Sequence, residues 1–255
     1  MAKKRKKRRR RGGLGRLLRP LSVLLAAAAV VTALTLFFKV EHITVTGAGR
    51  YQASEIIAAS GVEPGDNLVL LDRYRVAQRI YTALPYITDV RPKQEFPNRL
   101  NIEVTETKAI AAIRGADAYW LISGGGKLLE AVDAAAAADY LEIAGVEAED
   151  PSVSASLRLP EDAPITAGRL LELLNVLQQR GALTRSETVD CGDPRILVLA
   201  YDGRFQVEMF YDANFDFKIA GMLEAVHEKL EPNETGIIRM TFSNDNEAHL
   251  IPFPE

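Results

Sequence analysis

A block of bases followed closely by an uncharged apolar run constrains this chain more than any other feature. Lys3, Lys4, Arg5, Lys6, Lys7, Arg8, Arg9, Arg10 and Arg11 form an unbroken positive stretch, and no charge occurs from Pro20 to Phe38, before Lys39. As a helix rising about 1.5 Å per residue, that run is about 28 Å long, close to the ~30 Å hydrocarbon core of a bilayer. Bases on one side only predict an N-terminus that stays in the cytoplasm and a remainder that is exported. Near an anionic leaflet each base of the Lys3–Arg11 block is worth about 1 kcal/mol. Residues 1–19 are therefore expected to be a cytoplasmic tail on the membrane surface, and 20–38 a single transmembrane helix. A cleaved signal peptide shares this polarity, and Ala26 to Ala29 offer small residues. Its apolar region usually runs only about 7–15 residues, whereas this one continues through Val30, Val31, Leu34, Leu36, Phe37 and Phe38. An RNA-binding or nuclear-type basic tail accounts for the bases and leaves the apolar run unexplained.

The charge balance separates head from body. Eleven of the 31 Lys and Arg precede Pro20, leaving 20 against 34 acids in the rest of the 255 residues. An acidic body argues against a uniformly nucleic-acid-binding protein. With a single cysteine, Cys191, no internal disulfide framework or multi-cysteine zinc site can form. Stability must come from apolar burial.

Val40 to Val45 alternates like a half-buried strand and ends before Gly47. A short helix is expected from Ser54, its N-cap, to Ser60, with Gly61 beyond its end. The turn Glu63–Asp66 leads into Asn67–Leu71. Asp72 opens a second helix carrying Val76, Ile80 and Leu84, which Pro85 stops. Two strands follow, Ile87 to Glu95 and Arg99 to Thr105, joined at Phe96-Pro97-Asn98. Strand, helix, helix, strand, strand is a small α+β unit with both helices on one face of the sheet. Pro92 must then lie at an edge or bulge.

These residues carry a resemblance. Ile43-Thr44-Val45-Thr46-Gly47, Glu55-Ile56-Ile57, Gly61, Gly65-Asp66-Asn67-Leu68, Leu84-Pro85-Tyr86-Ile87 and Phe96-Pro97-Asn98-Arg99-Leu100 resemble a POTRA (polypeptide-transport-associated) domain. With a preceding transmembrane segment and basic tail, the chain resembles the FtsQ/DivIB family of bacterial division proteins. Thr107, Ala109 and Pro92 depart from that family's pattern. The resemblance places the POTRA domain at 40–111 and a mixed α/β "β domain" with an antiparallel sheet at 112–255.

In that second part, Ala118–Ser123 and Lys127–Glu130 flank Gly124-Gly125-Gly126 as a hairpin. Ala134–Ala138 reads as a surface stretch, Leu141–Gly145 as a strand and Glu147–Ala163 as a long loop. A helix from Thr166 to Arg180 carries Leu170, Leu173, Leu174 and Leu177 on one face. Strands Arg195–Tyr201 and Arg204–Tyr211 hinge on Asp202-Gly203. A helix from Phe215 to Leu230 and strands Ile237–Phe242 and Glu247–Ile251 complete the chain.

No enzyme is visible. Cys191 has no base placed against it by sequence, and His227 and His249 lack ligand spacing such as HExxH. The triple glycine lacks a phosphate-cradling pattern. No catalytic residue, metal or cofactor is expected. By resemblance the chain is a non-catalytic divisome scaffold at the septal membrane. It would bind FtsL and FtsB/DivIC-type coiled-coil proteins and so help regulate septal peptidoglycan synthesis. In that family a terminal sheet edge receives the partner, a role carried here onto Ile237, Arg239, Met240, Phe242, Ala248, Leu250, Ile251 and Phe253. An unpaired strand can be extended by another chain. The alternative is a POTRA-bearing receptor for protein export or outer-membrane insertion, and a third class is a membrane-anchored hydrolase.

Overall fold

A computed structural model describes residues 14–241 and 249–253, with positions 14–19 and 34–36 described by their backbone alone. The chain divides into two compact units, Met1–Ile80 with Val90–Val104, and Tyr81–Asp89 with Thr105–Glu255. Helix α1 runs Leu14–Phe37 and contains Pro20. Among the described residues no helix is long and apolar enough to cross a membrane. The expected 20–38 span includes positions 34–36, and Lys3 to Arg11 lie outside the described residues.

Beyond α1 the order is β1 (His42–Thr46), α2 (Ala53–Ser60), α3 (Arg73–Ala83), β2 (Ile87–Glu95) and β3 (Arg99–Glu106). Strand β1 runs parallel to β3, and the sheet order is β1-β3-β2. Pro92, on β2, therefore sits in an edge strand, where its missing N–H breaks no interior ladder. Leu100, Ile102 and Val104 are buried, as their alternation requires. One detail differs. Helix α2 is capped by Gln52, not Ser54, and the Glu55 carboxylate accepts the Gln52 N–H at 2.7 Å. The helix starts one residue before Ser54, so that hydroxyl falls inside its first turn. Asp72 does cap α3, accepting from the Arg75 N–H at 3.1 Å.

The second sheet holds nine strands among the described residues, in the order β12-β11-β10-β9-β8-β7-β4-β5-β6. Its strands are β4 (Ala109–Arg114), β5 (Tyr119–Ser123), β6 (Leu128–Val132), β7 (Leu141–Glu147), β8 (Ser186–Asp190), β9 (Ile196–Tyr201), β10 (Phe205–Phe210), β11 (Gly236–Arg239) and β12 (His249–Pro252). Hairpins β5–β6 and β9–β10 follow their turn signals, and Asp202 and Gly203 both take positive φ, as a type I′ turn demands. The sheet is mixed where an antiparallel one was expected: β4–β7, β7–β8 and β10–β11 pair in parallel, and the helical segments 167–179 and 215–224 supply the crossovers that the last two pairs require.

Ala134–Ala137 forms a single helical turn, α4, capped by Asp133. The stretch from 148 to 163 has no helix or strand of its own, yet part of it lines the sheet edge. Leu128 N–H donates to Ala155 O, Ser154 N–H to Leu128 O and Leu157 N–H to Gly126 O, at 2.7–2.9 Å.

Helix α5 (Ala167–Gln179), capped by Thr166, buries Leu170, Leu173, Leu174 and Leu177 in one stripe. Helix α6 (Phe215–Glu224), capped by Asn214, continues as a π turn over Ala225–Lys229. Their apolar faces join the core formed by β4, β7, β8, β9 and β10.

Candidate functional site

The last two strands decide which expected partner residues can be reached. Strand β11 pairs with β10 on one side and β12 on the other, so its own backbone is not an edge. Strand β12 has β11 on one side, and no further strand among the described residues covers the other. The reachable ladder is thus the short run His249–Ile251. Pro252 ends it, because proline has no N–H to offer an incoming strand.

Side chains sort the same way. Met240 is 5% exposed and lies in the core, so the alternation that suggested a partner contact points it inward. Ile237 is half-buried opposite Ile251. Arg239 is occupied: its Nε donates to the Glu208 carboxylate at 2.7 Å, a pairing that raises its pKa. Leu250 packs against the core from β12, while Ile251 and Phe253 are exposed. Phe242 and Ala248 lie outside the described residues. The structure therefore brings Leu250, Ile251 and Phe253 to one edge and assigns Met240 and Arg239 to the support behind it.

Two residues of this edge escaped the sequence reading. Gly236 has φ +155°, and a Cβ there would lie 2.4 Å from the Ile251 carbonyl oxygen, so β12 can approach only because the side chain is absent. Its one signal was a lone glycine at the start of a strand pattern. Pro252 belongs to β12, one residue past the expected end. It signals where the ladder stops.

The other candidate groups, Cys191 and His227, are buried or paired. Cys191 is fully buried beside Asp190, and burial pushes its thiol up to about 12, far from a nucleophile at neutral pH. His227 Nε2 lies 3.0 Å from Arg185 Nη1, and Arg185 also pairs with Asp202 at 2.6 Å. The Arg185 hydrogen bond, with help from Arg204, holds the Asp202 carboxyl below its usual range. Among the described residues no three His, Cys, Asp or Glu side chains gather as metal ligands would.

Parts of the chain are similar in sequence to known proteins. The family profile "POTRA domain, FtsQ-type" matches residues 38–107. The chain is 32% identical over 105 residues to the cell division protein FtsQ of Corynebacterium glutamicum, covering 41% of this chain and 47% of that one. It is 27% identical over 139 residues to the cell division protein DivIB of Clostridium acetobutylicum, covering 54% and 53%. Against FtsQ of Mycolicibacterium smegmatis it is 26% identical over 189 residues, covering 72% and 54%. The chain thus spans about half the length of the curated relatives it matches.

Proposed function

Since the chain belongs to the FtsQ/DivIB family of cell-division proteins, we propose that it is a non-catalytic, single-pass membrane scaffold of the divisome. On this reading, the POTRA domain at 40–111 and the β domain at 112–255 lie outside the cytoplasm, and α1 with its basic tail anchors them. The exposure of Leu21, Val23, Leu24, Leu25, Val30 and Val31 along α1 supports the anchor, because six large apolar side chains facing water would be unfavourable. The scaffold binds the exported segments of FtsL and FtsB/DivIC-type coiled-coil proteins and helps regulate septal peptidoglycan synthesis.

One observation carries the binding role: among the described residues β12 is the outer strand of a nine-stranded sheet, with Ile251 and Phe253 exposed beside it. An extended partner segment would add backbone hydrogen bonds along His249–Ile251 and seat apolar side chains on that pair. Hydrogen exchange on the full chain, with and without the partner's exported domain, tests it. Protection should concentrate between Ile237 and Phe253, and Ile251→Pro should weaken binding at least tenfold. Protection confined to Ile43–Thr105 would move the site to the POTRA domain. Topology has a separate test. Cysteines placed singly at Ala2 and Asp133 should react with an impermeant thiol reagent in intact cells only at position 133.

A further inference from the structure

The first unit carries an exposed apolar cluster beside the point where α1 ends. Leu68 N–H donates to Phe38 O at 2.8 Å, Val40 N–H to Asp66 O at 2.8 Å and Gly65 N–H to Val40 O at 2.8 Å. Residues 65–68 therefore run alongside 38–40, one strand spacing from the helix end. The Phe96 ring meets Phe38 edge to face, centroids 5.4 Å apart. Around this junction Leu70 is 75% exposed, Phe96 58%, Phe37 67% and Val69 45%, and Tyr74, four residues after Leu70 in the chain, is 79% exposed, while Leu68 is fully buried.

The exposure is built in. Asn67 Oδ1 accepts the N–H groups of both Val69 and Leu70, at 2.9 and 3.1 Å. Gln94 Nε2 donates to Leu68 O at 2.6 Å and to Leu71 O at 3.4 Å. The loop is thus pinned at its start and at its end with its two apolar side chains turned outward, and the ordering cost of docking is already met.

We propose that Val69, Leu70 and Phe96, with Phe37 and Tyr74, seat in the lipid interface of the same bilayer that α1 enters. The occupant follows from position: the cluster is continuous with the end of the anchor helix, so the surface nearest to it is the membrane. Apolar side chains at such an interface sink about 5–10 Å into the headgroup–acyl boundary, and tyrosine suits the headgroup level. The turn Phe96–Asn98 and the pinned loop Asn67–Leu71 then hold the first unit against the membrane. This inference rests on α1 being a membrane anchor.

The test uses the full chain in phosphatidylcholine–phosphatidylglycerol vesicles, with an environment-sensitive dye on a single introduced cysteine. Leu70→Cys reports the cluster, Val30→Cys the anchor and Val153→Cys an exposed control in the second unit. Native Cys191 stays buried and unlabelled. Lipids with a doxyl quencher near the glycerol should quench the Leu70 dye at least twofold more than the Val153 dye, and more than lipids quenching near the chain end. Quenching at Val30 with Leu70 matching Val153 overturns the inference and leaves the anchor standing. No quenching at Val30 removes the anchor itself. A blue-shifted but unquenched Leu70 dye overturns lipid contact in favour of self-association.

Discussion

The ammonium of Lys127 lies 3.6 Å from the centroid of the Tyr81 ring and donates to the Tyr81 carbonyl at 2.8 Å. In a continuing helix that carbonyl would accept from the residue four places on, which is Pro85 and has no N–H. Lys127 replaces the missing donor and also reaches Ile87 O at 2.9 Å and Leu84 O at 3.5 Å. The residue is 4% exposed, and burial lowers its pKa from 10.5 to about 8.

Lys127→Met removes that donor and should cost about 1–3 kcal/mol at pH 7. Below about 8 the folded and unfolded chains both hold the proton, and Lys127 adds no pH slope. Between about 8 and 10.5 the unfolded chain binds more protons, so the contribution of Lys127 to stability rises with pH. Denaturant midpoints of both proteins from pH 7 to 10 should separate further above 8. A constant gap would contradict the assignment.

Arg169 ties α5 to the loop before α6. Its Nε and Nη2 donate to Tyr211 O at 3.1 and 3.0 Å, Nη2 also reaches Ala213 O at 2.6 Å, and the guanidinium lies 4.2 Å from the Phe215 ring centroid. A lysine presents a point charge in place of a planar fork. Arg169→Lys should therefore lose about 1–2 kcal/mol, read as a lower urea midpoint with an unchanged slope.

Cys191 should be inert in the folded chain. With the thiol buried and its pKa pushed up to about 12, labelling by an aromatic disulfide at pH 8 should follow the rate of unfolding. Added urea should accelerate it. Rapid labelling of the native protein would show that this part of the second unit opens on its own.

Gly236→Ala places a Cβ against the Ile251 carbonyl and should push β12 off β11. Backbone strain of this kind costs on the order of 1–3 kcal/mol. Amide exchange in His249–Ile251 should speed up while β7, β8 and β9 keep their protection. Partner binding at the edge should weaken in parallel, since the strand that would be extended is no longer held.

Several elements were legible because their signals are local. The leucines of α5 repeat at helical spacing, Asp202-Gly203 specifies its turn, and Pro92 excludes itself from an interior strand. These demands act over a few residues and need no knowledge of a partner element. The terminal edge was legible only in outline. Alternation marked two strands but could not say which would be outermost, and so it grouped buried Met240 with exposed Ile251.

What the sequence by itself determined was the anchor-length run, the order of elements in the first unit and the amphipathic helices, all consequences of nearest-neighbour sterics and hydrophobic periodicity. Strands β4 and β8 went unseen. Ala109–Arg114 is a nearly unbroken apolar run with no alternation to mark it, because as an interior strand it is buried on both faces. Ser186–Asp190 is short and largely polar, and it becomes a strand only between β7 and β9. Parallel pairing, the place of Lys127 under the end of α3 and the close crossing at Gly236 each join residues tens of positions or more than ten positions apart. Such contacts exist only once the chain has closed those loops, so tertiary structure alone decided them.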